Sequence, residues 1–170
     1  MSKLNNCEIL VSSDERVARI LSKEWFVNGK LNSTAFTLDF GESYLSVNRP
    51  IVETFNDDVS NFVKSHSCYL FEGEIYKLAI LDVGDIRDID IAIGETQTKI
   101  DVEVESRDIH TKSHAGIFTR YQNKNIKRGQ MFKVAQSEEI SADSILLEVR
   151  SRLLELSTME TGKLTEKKLK

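Results

Sequence analysis

Between Thr98 and Ser106 the chain alternates with a period of two: Ile100, Val102 and Val104 fall on one parity, Asp101, Glu103 and Glu105 on the other. Only an extended strand turns that pattern into two chemically distinct faces, because successive side chains project to opposite sides of a sheet. The apolar row requires a covering layer, so the segment commits the chain to a sheet packed against something else. The other row reads as a ladder of carboxylates on a wet face. EIYKLAILDV (74–83) is apolar on both parities and suits a central strand.

Other elements arrange themselves around these two. DERVARIL (14–21) reads as a short strand carrying Arg16 and Arg19, or as a helix start following two serines suited to capping. Lys23 to Val27 looks like one turn, and Asn28-Gly29 is a turn signal. STAFTL (33–38) and SYLSVNR (43–49) read as strands joined through Gly41, and DIRDIDIAIG (85–94) as including another short strand. A mid-chain helix is expected from Asn56 to Lys64. Asn56 would cap it, Asp57 and Asp58 sit near its positive end, and Val59, Phe62 and Val63 share a face.

A longer helix is expected from about Ala142 to Ser157, capped by Ser141, with Ile145, Leu146, Val149, Leu153 and Leu156 as its apolar stripe. The predicted fold is α+β: a single domain over 1–158 with a mainly antiparallel or mixed β-sheet, the short mid-chain helix and the C-terminal helix packed on it. Residues 159–170, polar and basic, are expected to form a loose tail. At 170 residues and 40% apolar the chain can bury a core. No apolar run reaches the roughly 20 residues of a membrane helix, so no membrane partner is expected. Cys7 and Cys68 make no disulfide framework and no secretory signal is apparent, which points to a cytoplasmic setting.

Charge is segregated across the middle of the chain. Residues 71–108 hold eleven acids against four basic residues, whereas 109–137 hold no acid and six cations: Lys112, Arg120, Lys124, Lys127, Arg128 and Lys133. Such a run either neutralises the acidic stretch beside it or faces an anionic partner, a nucleic acid or an acidic protein surface. The cations are interleaved with Phe118, Tyr121 and Phe132, whose rings could stack on unpaired bases. The candidate contact residues are His110, His114, Arg120, Tyr121, Lys124, Lys127, Arg128 and Lys133. The same segregation allows a homo-oligomer, in which the acidic strand of one copy meets the basic run of another.

Dedicated catalytic or metal motifs are sparse. His110 and His114 have a metal-compatible spacing, and His66-Ser67-Cys68 lies upstream, but SHAGIF reads better as a turn entering a strand. Asp82, Asp85 and Asp88 fit a strand end and turn better than a metal cluster. No metal or other cofactor is expected.

Two resemblances bear on function. The order Arg19, then Ser43 and Ser46, then Glu103-Val104-Glu105 resembles that of the ADP-ribosyltransferase and NAD-degrading toxin superfamily. It would imply that Arg19 helps hold dinucleotide phosphates, Ser46 braces the site and Glu105 stabilises a ribosyl cation. The same two glutamates are also what alternation places on a wet strand face. Separately, ERVAR, STAF, LSVNR, VGDIR and SHAGI, in that order, are similar to an uncharacterised family of small bacterial cytoplasmic proteins. That similarity singles out Arg19, Ser46, Arg49, Arg87, His114 and Gly116 and implies no activity.

Overall fold

The computed structural model describes residues 10–37, 44–93, 98–107, 111–121 and 142–164. Among them lies a seven-stranded sheet in the order β6-β7-β8-β4-β1-β5-β9. Its strands are β1 (Arg16–Ile20), β4 (Leu45–Asn48), β5 (Ile75–Asp82), β6 (Ala92–Ile93), β7 (Thr98–Ser106), β8 (His114–Tyr121) and β9 (Thr158–Lys163). Each neighbouring pair is antiparallel. Two further strands, β2 (Phe26–Val27) and β3 (Lys30–Leu31), form a hairpin. Its turn is Asn28-Gly29, with φ of 51° and 76°. Positive φ at both turn residues is what a tight two-residue hairpin requires, and Asn-Gly supplies it at low cost.

The alternation read from the sequence sorts side chains onto the two faces of the sheet. Val17, Leu21, Leu45, Val47, Ala79, Leu81, Val102, Val104, Ala115 and Ile117 share one core. That core is completed by Val83 and Ile86 of helix α2 (Val83–Arg87) and by Val149 and Leu153 of helix α3 (Ala142–Leu156). On the other face Ala18, Ile20, Tyr76, Leu78 and Ile80 pack against Phe55, Val59 and Val63 of helix α1 (Phe55–Ser65). Strand β5, second from the edge of the sheet rather than at its centre, feeds both cores, as a run apolar on both parities requires.

Several expectations change. STAF is a 3₁₀ turn (Ser33–Phe36) rather than a strand. The Asn32 side chain accepts from the Thr34 amide at 3.0 Å, while Ala35 and Phe36 are buried in the first core. Local capping plus burial outweighs the β propensity of Thr and Phe. DIRDIDIAIG does include the expected short strand, at Ala92–Ile93, but helix α2 occupies its beginning, directly after β5. Helix α1 begins at Phe55, one residue before the expected cap Asn56.

At the chain's C-terminal end, the expected boundary at residue 158 falls inside regular structure. Thr158 to Lys163 pair with Ile80 to Ile75 as an edge strand. Gly162 makes this possible, because the Tyr76 ring lies over it in the space a β-carbon would occupy. Gly162→Ala is expected to destabilise the protein by about 1–3 kcal/mol. Melting that matches the wild type would show that the ring is free to move aside.

No helix among the described residues is long and apolar enough to cross a membrane.

Candidate functional site

The half of the second face that α1 leaves uncovered is polar and aromatic, and it is built by register. Glu105 of β7 lies opposite Gly116 of β8, which lies opposite Ser46 of β4. Leu45, Val47 and Val104 belong to the first core, so alternation sends Ser46 and Glu105 to this second face. Gly116 leaves the row open at its centre, and the Tyr44 ring occupies that space. A β-carbon on Gly116 would come within 2.5 Å of Tyr44 Cδ2.

Around Tyr44 the groups converge. Its ring centroid is 5.1 Å from that of Phe118 and 5.8 Å from that of His114. The Arg107 guanidinium lies 4.9 Å above Phe118 and 5.5 Å above Tyr44, within cation–π range. One Arg107 terminal nitrogen is 3.8 Å from Glu105 Oε2, and Glu105 is fully buried. The expected carboxylate ladder on a wet face is thus corrected at Glu105. Tyr44, Phe118 and Arg107 belong to the shell around it, an arrangement that period-two reading of β7 alone cannot detect. Glu103, one pleat away, turns toward the sheet margin, where Arg87 Nε meets it at 2.5 Å. Arg87 also donates to Ser13 Oγ at 2.8 Å and to the Val11 carbonyl, tying the chain's entry segment to β7.

His114 sits at the start of β8, and its Nδ1 is 2.8 Å from the Arg107 carbonyl. A carbonyl only accepts, so Nδ1 carries the proton, and in the neutral ring Nε2 is the basic nitrogen. Among the described residues, no hydrogen-bond acceptor meets the buried Arg107 Nε. The site thus joins a buried carboxylate, a cation resting on two aromatic rings, and an imidazole of fixed tautomer. Phe118 and His114 are buried, so the cluster is largely packed, and the Arg107 guanidinium is its most accessible charge.

A second polar knot borders it. Asp58 Oδ2 accepts from Ser113 Oγ (2.6 Å), Thr54 Oγ1 (2.8 Å) and the Ser113 amide (3.2 Å), while Asn48 Nδ2 donates to Ser113 Oγ (2.9 Å). The knot fastens the first turn of α1 to β4 and β8. Burial by itself raises the Asp58 carboxyl, but the hydrogen bonds from Ser113, Thr54 and Thr111 outweigh it and hold the group below its ordinary value. A depressed native pKa stabilises the fold above the unfolded-state value, and this contribution is lost as pH falls through the native one. Asp58→Ala is expected to cost about 1–3 kcal/mol near neutrality. The gap to wild type should narrow below about pH 4, which denaturant melts across pH will read. A gap that is constant in acid would deny Asp58 this role.

The Arg–Ser–Glu constellation does not assemble. Arg19 falls between Val17 and Leu21, both in the first core, so it lies on the opposite face from Ser46 and Glu105. Its guanidinium donates to the Ala35 and Ser46 carbonyls, each at 2.9 Å, and stacks 4.9 Å from the Trp25 ring. It braces the 3₁₀ turn against β4. Arg49 is likewise held, in a bidentate pair with Glu15 at 2.8 and 2.9 Å.

Of the candidate contact residues, His114, Arg120 and Tyr121 lie on β8, an internal strand that begins within SHAGIF. Arg120 is in register with Asp101, and Tyr121 with Ile100. His110, Lys124, Lys127, Arg128 and Lys133 lie outside the described residues, as does Ser43. Among the described residues no three His, Cys, Asp or Glu side chains gather as a metal site would require. Asp85, Asp88 and Asp90 line a recess with Glu155 and Arg152 where α2 meets α3. No protein-family model, curated protein or solved structure matches the chain.

Proposed function

We propose that the chain is a non-enzymatic binding module that contacts an anionic partner through the basic segment 109–137, with Arg107 and His114 at its base. A polynucleotide is the partner best suited to cations interleaved with aromatic rings. The observation that carries this reading concerns the acids of β7. Glu103 is already engaged by Arg87, and Glu105 lies beside Arg107. Both arginines come from the acidic half of the sequence, so two of the three acids of β7 meet cations supplied from within their own half, while Asp101 is in register with Arg120 of the basic run. On this reading the positive charge of Lys124, Lys127, Arg128 and Lys133, with no acid between residues 109 and 137 in the sequence, serves a partner. Cys68, a free and exposed thiol, fits the reducing cytoplasm in which we place the protein.

The test is a mobility-shift titration with single- and double-stranded DNA and RNA at two salt concentrations. Binding is expected to weaken steeply with salt. Reversing Lys124, Lys127 and Arg128 to Glu is expected to flatten log K against log salt by about 2–3 units of slope, the share of three phosphate contacts. Binding that survives both high salt and the triple reversal would overturn the proposal, and so would its absence at low salt.

A further inference from the structure

Strand β9 ends the sheet: β5 pairs with one side of it, and no described strand pairs with the other. Thr158, Met159, Glu160, Thr161 and Lys163 are exposed, Met159 by 49%. The direction of its backbone groups follows from one bond. The Leu164 amide donates to the Glu74 carbonyl at 3.0 Å, and Leu164 continues the β5–β9 register in which Lys163 faces Ile75. In an antiparallel ladder, hydrogen-bonded and non-hydrogen-bonded pairs alternate. Thr158, Glu160 and Gly162 therefore bond inward to β5. Met159, Thr161 and Lys163 direct their amides and carbonyls outward, a template of the kind that invites another strand.

We propose that this edge pairs with β9 of a second copy of the chain, antiparallel, about a two-fold axis at Thr161. The choice of occupant rests on self-complementarity. A two-fold that continues the sheet sets residues of one parity opposite each other, which leaves three central registers. Centring on Glu160 opposes two carboxylates and uses two of the outward residues. Centring on Gly162 again uses two, and opposes the two residues that have no side chain. Centring on Thr161 uses all three: Met159 faces Lys163, Thr161 faces Thr161, and Glu160 faces Gly162.

That register sets no like charges directly opposite, makes a Thr–Thr pair, and lays Met159 along the Lys163 stem. It also brings Glu160 of the second copy beside Gly162, over which the Tyr76 hydroxyl lies. The contact Glu160 makes in the single chain, 3.7 Å from Arg16 with both side chains more than half exposed, is weak enough to yield. One strand pair buries less than a standard interface, so the dimer is expected to be micromolar or weaker.

Sedimentation equilibrium of the full chain tests the pairing. The mass is expected to rise from 19.4 kDa toward twice that value with concentration. Met159→Lys sets an ammonium opposite Lys163 at both ends of the pair and is expected to weaken association about tenfold. Adding Lys163→Glu to the same chain restores opposite charges and is expected to restore the dimer. Both positions are exposed, and unchanged circular dichroism will confirm that each variant folds. A monomeric mass up to about 1 mM overturns the proposal. A dimer insensitive to Met159→Lys, or one that the second substitution does not rescue, overturns the register and with it the assignment to β9.

Discussion

Leu153→Ala is expected to cost about 3 kcal/mol of stability, within the range for removing a buried leucine. Leu153 is 1% exposed and belongs with Val149 to the core that joins α3 to the sheet. The same core contains Ala35 and Phe36 of the 3₁₀ turn and Ile86 of α2, so the cavity would open where three elements meet. Neighbours held by a rigid sheet collapse only partly into such a space, and the lost contacts add to the lost transfer energy. Thermal denaturation should show the midpoint falling by roughly 10 °C. Leu147 sits on the same helix, but it is exposed, and Leu147→Ala should change stability by less than about 0.5 kcal/mol. Equal effects of the two substitutions would mean that α3 does not dock through the Val149–Leu153 face.

The second large effect is expected at Glu105. Glu105→Ala removes a fully buried carboxylate and leaves Arg107 without the anion beside it. Breaking a buried pair by deleting one partner costs roughly 3–5 kcal/mol, and the 31% exposure of the Arg107 side chain lowers this toward about 2–3. Glu105→Gln preserves shape and removes charge, so its loss is expected to be smaller. The double substitution Glu105→Gln with Arg107→Met should cost less than the sum of its parts, because each single change strands the other's partner. Strict additivity in chemical denaturation would show that the two groups do not interact.

These expectations differ in how much of their basis the sequence displayed. The stripe containing Val149 and Leu153 was legible because helical period and apolar spacing are local. The same holds for the α1 face through Val59 and Val63, and for the Asn-Gly turn. Glu105 was not legible. Period two separates its face from that of Val102 and Val104, but it does not say which face is dry. That depended on Tyr44 lying over Gly116 and on Arg107 folding back across Phe118, contacts between residues far apart in the chain. Arg87 was marked only by its place in an ordered motif, and its pairing with Glu103 follows from α2 turning directly out of β5. The loose tail expected over 159–170 is corrected for 159–163, while 165–170 lie outside the described residues: TMETGK has little β propensity, and it becomes a strand because β5 offers it an edge.

By itself, then, the sequence determined the α+β class, the positions of β5 and β7, both longer helices, and the segregation of charge. These are matters of spacing along the chain, set by the two-residue repeat of a strand and the 3.6-residue repeat of a helix. Only the tertiary structure decided the strand order, the burial of Glu105, the placing of Arg19 on the face opposite Ser46, and the edge position of β9. Each of these depends on which strand lies beside which. Neighbour choice is fixed by the cores on both faces of the sheet closing at once, a condition that no single segment carries in its own residues.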